Sequence, residues 1–113
     1  MNLKRFWWWL PFGKVPEIDA GAFHARLQAT PPPRVLDVRT VGEWERSHIA
    51  GSINIPLTEL KQGLSALSAD KSTPIVALCR SARRSIPAVR YLKRRGFQQV
   101  CQLQGGMRAW WKA

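Results

Sequence analysis

A chain of 113 residues with 45% hydrophobic content has room for one compact domain and excludes a multidomain assembly or a long solenoid. Its 18 Lys and Arg against 7 Asp and Glu leave a formal charge of +11, so long-range attraction selects anions: nucleic acid, acidic lipid or small oxyanions. Two cysteines and two histidines exclude a disulfide-dense scaffold and argue against a metal site, and no apolar run reaches the ~20 residues of a bilayer-spanning helix.

In chain order, residues 1–15 read as a Trp-rich basic tail ahead of a domain over residues 16–113. Trp7, Trp8 and Trp9 sit between cations, and Pro11 and Gly13 interrupt the stretch, which is too short for a secretory signal and lacks a small-residue cleavage site. Two roles stay open for it. One is peripheral membrane contact through residues 4–14, with indole rings at the headgroups and Lys4, Arg5 and Lys14 drawn to anionic lipid. The other is packing back onto its own domain.

Asp19 is placed to cap a helix with Phe23 and Leu27 on one face, ended by Pro31-Pro32-Pro33. Val35 to Val38 and Ile75 to Leu78 read as short strands of a sheet covered on both faces. Between them Leu57, Leu60, Leu64 and Leu67 fall at helical spacing. Ser85 reads as the cap of a helix bearing Ile86, Val89 and Leu92 and stopped by Gly96. Val100 to Leu103 forms a final strand before a tryptophan-rich end. Strands alternating with helices predict an α/β domain on a mainly parallel sheet.

Cys79 stands where one strand ends and a helix is about to begin, the place where open α/β sheets bind ligands. Amides of a helix start and a curled loop converge there, and their partial positive charge favours a thiolate over a thiol. Arg80, Arg83 and Arg84 push the same way, and a thiolate is the species that attacks electrophilic sulfur. A cysteine after an apolar strand is by default a buried structural residue. Three arginines within the next five residues reverse that preference.

Four segments in the right order resemble the rhodanese family of sulfurtransferases, over about residues 16–113. They are Val35-Leu36-Asp37-Val38-Arg39 with Glu43-Trp44, His48-Ile49-Ala50-Gly51-Ser52-Ile53-Asn54-Ile55-Pro56, Cys79-Arg80-Ser81-Ala82-Arg83-Arg84-Ser85, and Leu103-Gln104-Gly105-Gly106-Met107-Arg108-Ala109-Trp110. The resemblance implies a three-layer rhodanese-like domain, with a central five-stranded, mainly parallel sheet flanked by helices. It implies that Cys79 takes sulfane sulfur from a small anionic donor, thiosulfate or a persulfide, and passes it to cyanide or a thiol without metal or organic cofactor. Cys79 is then the nucleophile, the backbone of Arg80, Ser81, Ala82, Arg83, Arg84 and Ser85 the cradle, and the Arg80 and Arg83 side chains the substrate attractors. Arg84 braces the loop against Asp37 or Glu43, with bidentate geometry expected. Asp37, Arg39 and Glu43 form the bracing set. Two residues depart from the family pattern: Ser47 replaces a glycine before His48, and Ala82 stands where most members have glycine. The second costs about 1 kcal/mol, or shifts the curl, if that position needs a positive φ.

Other readings compete. Related cysteine phosphatases and arsenate reductases place five residues between cysteine and arginine, whereas four separate Cys79 from Arg84 and Leu78 replaces the phosphatases' histidine. A catalytically weak binding or scaffold module, recruited by its basic surface and Trp-rich tail, is the alternative from another class. Arg80 to Arg95 holds seven Lys or Arg and no acid, which suits a larger anionic acceptor (RNA, a membrane surface or an acidic sulfur-carrier protein) or simply a solvated helix face. Nucleic acid is disfavoured because no base-reading module or interleaved stacking aromatics accompany these cations. Cys101 reads as a small core residue, His48 as structural, Glu43 and Arg39 as an i, i+4 pair, and Trp44, Trp110 and Trp111 as packing residues. The expected location is cytoplasmic, with peripheral membrane attachment left open, and the sequence sets no oligomeric state.

Overall fold

A computed structural model describes residues 9–113. Five strands, β1 (Glu17–Ile18), β2 (Arg34–Asp37), β3 (Ile53–Asn54), β4 (Ile75–Leu78) and β5 (Val100–Leu103), form one sheet in the order β1-β5-β4-β2-β3. Every neighbouring pair is parallel, so the expected α/β architecture is present and no strand runs against the rest. Among the described residues no helix is long and apolar enough to cross a membrane.

Short polar signals fix the helix ends. Helix α1 (Ala20–Leu27) starts at Asp19, whose carboxylate accepts the Ala22 amide at 2.8 Å, as its sequence predicts. Helix α2 (Val41–Arg46) starts with a reciprocal pair: Thr40 Oγ1 accepts the Glu43 amide at 3.2 Å and Glu43 Oε1 accepts the Thr40 amide at 3.1 Å. The leucine-spaced segment is not one helix. A four-residue helix, α3 (Leu60–Gly63), lies between 3-10 turns at Leu57–Glu59 and Leu64–Leu67. Gly63 interrupts it at a close approach, since a Cβ there would lie 2.8 Å from Ile55 Cγ2. Helix α4 (Ser85–Arg94) ends as expected at Gly96, which has φ +96 and donates to Lys93 while Phe97 donates to Leu92. Helix α5 (Gly106–Lys112) occupies the tryptophan-rich end.

Two apolar layers sandwich the sheet. Leu36, Ile75, Ala77, Cys79 and Val100 face Leu60, Ala88, Val89 and Leu92 on one side, while Val35, Val76, Leu78 and Leu103 face Phe23 and Met107 on the other. Successive side chains of a strand point to opposite faces, so burial on both explains why β4 is apolar throughout. Burial of this kind stabilises by about 25 cal/mol per Å2 of apolar surface and makes the C-terminal edge of β4 a rigid base.

Candidate functional site

Cys79 is the first residue beyond β4 and keeps the strand's alternation, so its side chain falls on the α3/α4 side of the sheet with Ile75 and Ala77. It is 1% exposed. The Ser85 amide donates to its sulfur at 3.3 Å, and Ser85 Oγ lies 3.4 Å from the same atom. Residues 80–84 curl between strand and helix without regular structure. Among the described residues, the amides of Ser81, Ala82, Arg83 and Arg84 meet no protein acceptor, leaving four consecutive donors of the loop without a partner there. Ala82 adopts φ +68, the left-handed conformation that its replacement of glycine put in question. The curl is kept, and the alanine bears the strain.

A double glycine seats this loop. Gly105 and Gly106 have φ +73 and +60, and a Cβ on Gly106 would lie 2.4 Å from the Cys79 carbonyl oxygen and 2.7 Å from the Arg80 carbonyl carbon. That closeness lets the Met107 and Arg108 amides, at the start of α5, donate to the Cys79 and Arg80 carbonyls at 2.8 and 3.0 Å. The outgoing backbone of the loop is therefore pinned from the opposite layer.

Of the two partners expected for Arg84, Glu43 is taken. The guanidinium donates to both carboxylate oxygens at 2.6 and 2.9 Å, holding the loop to the first turn of α2. The Arg84 bond holds the Glu43 pKa down to about 2 against opposing desolvation, and raises that of Arg84. Asp37 does not bond Arg84, and the expected Arg39–Glu43 pair does not form. Arg39 instead folds onto Asp37, with Nε at 3.0 Å and NH2 at 2.7 Å, and both are buried. A chelated turn one residue wide outcompetes a contact across a helix start. Arg39 also donates to the Ser47 carbonyl at 2.7 Å, and Asn54 reaches the Asp37 and Arg39 carbonyls at 3.0 and 2.9 Å. This pair stitches the neighbouring segment rather than the cysteine loop.

Ser85 was expected to cap α4. It is instead the first helical residue, with Arg84 at the cap position. Its buried hydroxyl donates to Gln102 Oε1 at 2.6 Å, and Gln102 Nε2 donates to Glu17 Oε2 at 2.8 Å. Sequence reading passed over Gln102 and Glu17. A polar residue inside an apolar strand was the available signal, because a buried amide persists only where it is hydrogen-bonded.

Arg80, Ser81 and Arg83 are exposed on the loop. Cys101 is only half-buried, paired with Val76 in the ladder, and it faces the other layer from Cys79. Opposite faces and a three-residue offset, about 10 Å along a strand, exclude a disulfide between them without backbone rearrangement. Burial raises the Cys101 thiol, with Arg26 and Lys93 opposing. His48 stacks on Trp44 with ring centroids 3.8 Å apart and shares a 2.7 Å contact with the Trp44 carbonyl. Trp44 donates to Ser52 at 2.9 Å, and Trp110 packs edge-on against Phe23. Trp111 departs from expectation: it is 48% exposed, its indole reaching Ser47 at 3.3 Å.

Most of the Trp-rich tail, including Trp7 and Trp8, lies outside the described residues. The part within them crosses to α4, where Arg90 donates to the Leu10 and Phe12 carbonyls at 3.1 and 2.8 Å and Val15 packs on the core. Trp9 and Phe12 remain exposed.

Residues 19–113 match the family described as Rhodanese-like domain. Over 96 residues the chain is 36% identical to the "Putative sulfur carrier protein YrkF" of Bacillus subtilis (strain 168), covering 85% of this chain and 51% of that protein. It therefore spans about half the length of that relative. It is 32% identical to a "Sulfurtransferase" of Allochromatium vinosum, covering 85% of this chain and 88% of that one. Among solved structures, the Rhodanese-like domain protein from Staphylococcus aureus superposes with a TM-score of 0.78 at 27% identity, covering 85% of this chain and 91% of that chain.

Proposed function

This chain belongs to the rhodanese-like domain family, and from that premise we propose that it is a sulfurtransferase whose Cys79 carries the sulfur as a persulfide. The observation that carries the reading is the cysteine's seat: a sulfur just past the end of β4, met by the Ser85 amide at 3.3 Å, on a loop whose amides from Ser81 to Arg84 meet no protein acceptor. Loading begins with the Cys79 thiolate attacking the outer sulfur of thiosulfate. The new S–S bond forms as the old one breaks, and sulfite departs with the bonding pair. Discharge reverses the roles: cyanide or a thiolate attacks the terminal persulfide sulfur, and the electron pair of the Cys79 S–S bond returns to Cys79. Neither displacement needs an outside oxidant or reductant. Negative charge sits on the terminal sulfur between the steps, where the amides of Ser81 to Arg84 are poised to donate, and Arg80 and Arg83 raise the local concentration of anionic donor.

The expected outcome of a thiosulfate-to-cyanide assay is turnover in the wild type and none in Cys79→Ser. Equal low rates in both would remove the enzyme and favour a binding module, the reading that the strained Ala82 supports. A peripheral membrane contact finds support in exposed Trp9 and Phe12, on an arm tied to α4 beside Lys93 and Arg94. Its test is vesicle pelleting with anionic lipid: Trp9→Ser with Phe12→Ser lowers pelleting at low salt, and unchanged pelleting removes the contact.

A further inference from the structure

We propose that Gln102, anchored by Glu17, is a positioning residue that decides which way the Ser85 hydroxyl faces the Cys79 sulfur; this rests on Cys79 being the reacting atom. A carboxylate only accepts hydrogen bonds, so Glu17 holds the amide NH2 of Gln102 outward at 2.8 Å and turns Oε1 toward Ser85. The Ser85 hydroxyl, with one proton to give, donates it to that Oε1 at 2.6 Å. Its lone pairs then face Sγ at 3.4 Å, an arrangement that suits a protonated thiol.

A thiolate at Cys79 gains a second donor, beside the Ser85 amide, only in the opposite arrangement. The hydroxyl proton then swings to the sulfur, and Oε1 of a residue only 2% exposed loses its donor. Two hydroxyl orientations therefore compete, and Glu17, two bonds of the chain away, biases them toward Gln102. In sulfur transfer the two orientations serve different moments. With its proton on Gln102 the hydroxyl leaves the attacking sulfur only the Ser85 amide as donor and so more nucleophilic; turned to the sulfur, it adds a second donor that stabilises the thiolate released at discharge.

The charges around this sulfur besides Glu17 are Arg80, Arg83 and Arg84 of its own loop, Asp37 at the end of β2 and Arg39 just past it, Glu43 behind Arg84, and Arg108 at the start of α5, whose amide bonds the Arg80 carbonyl. None is altered in the test series. Glu17 is exposed, and β1 is held to β5 through backbone bonds, so its side chain can be replaced without opening the core.

The test follows thiolate ultraviolet absorbance against pH in the full chain carrying Cys101→Ala. Glu17→Ala frees Gln102 to turn, and the Cys79 thiolate fraction at a given pH rises about three- to tenfold, the worth of one neutral hydrogen bond. In a Ser85→Ala background Glu17→Ala changes nothing. A Glu17→Ala shift that persists without the Ser85 hydroxyl would reveal a simple field effect and overturn the proposal, as would no shift at all. Thiosulfate turnover is scored separately. Its absence alongside the predicted titrations would count against the sulfurtransferase reading and not the relay, whereas intact turnover with unmoved titrations would count against the relay alone.

Discussion

Replacing Glu43 with glutamine separates two jobs held by one carboxylate. Glu43 closes the reciprocal cap with Thr40 and clamps Arg84 in the cysteine loop. Glutamine serves the cap equally well, so Glu43→Gln removes chiefly the ion pair. The pKa drop from 4.5 to about 2 is worth about 3 kcal/mol if unscreened. Carboxylate and guanidinium are 23% and 37% exposed, which reduces the net contribution to about 1–2 kcal/mol. Because the folded-state pKa is depressed, this stability is complete above 4.5 and disappears as pH falls toward 2. Urea unfolding of wild type and Glu43→Gln should show a gap of about 1–2 kcal/mol near neutral pH that closes progressively in acid. Turnover should fall with it, by about tenfold, as the loop loses its anchor. A gap below about 0.3 kcal/mol at neutral pH, or one that stays constant through the acid range, would refute the clamp.

Gly106→Ala should destabilise by at least about 2 kcal/mol in urea unfolding, because the added carbon meets backbone atoms of Cys79 and Arg80 that no rotamer change can move, at a positive φ. Ala82→Gly should stabilise by up to about 1 kcal/mol by relieving the left-handed alanine, read as a rise in urea midpoint with Cys79-dependent turnover maintained or improved. Cys101→Ala should leave thiosulfate turnover unchanged, since that thiol faces the other layer, and a tenfold loss would contradict this geometry.

The sequence made the sheet-forming runs legible because burial on both faces leaves consecutive apolar residues, as in Ile75 to Leu78. Asp19 and Gly96 marked their helix ends because capping is local chemistry. The edge strands Glu17–Ile18 and Ile53–Asn54 are two residues each, too short to carry a period, and exist only because a neighbouring strand is there to pair with. Helix α2 had a readable start in Thr40-x-x-Glu43 that the apolar pattern hid, since it buries no residue. At the site, the place of Cys79 between strand and helix, with its arginines on the loop that follows, could be read from residue type and position. Which carboxylate Arg84 takes could not, because Asp37 and Glu43 are both plausible until the Asp37–Arg39 turn is seen to close. The Ser85–Gln102–Glu17 chain was equally hidden: it joins residues 85 positions apart in sequence.

The most direct measurement is the mass of the protein after incubation with thiosulfate, mapped to peptides. The account predicts one added sulfur on the peptide containing Cys79, removed by cyanide and missing from Cys79→Ser, with Cys101 unmodified. Sulfur retained on Cys101, or an unmodified Cys79 in a folded chain, would contradict it.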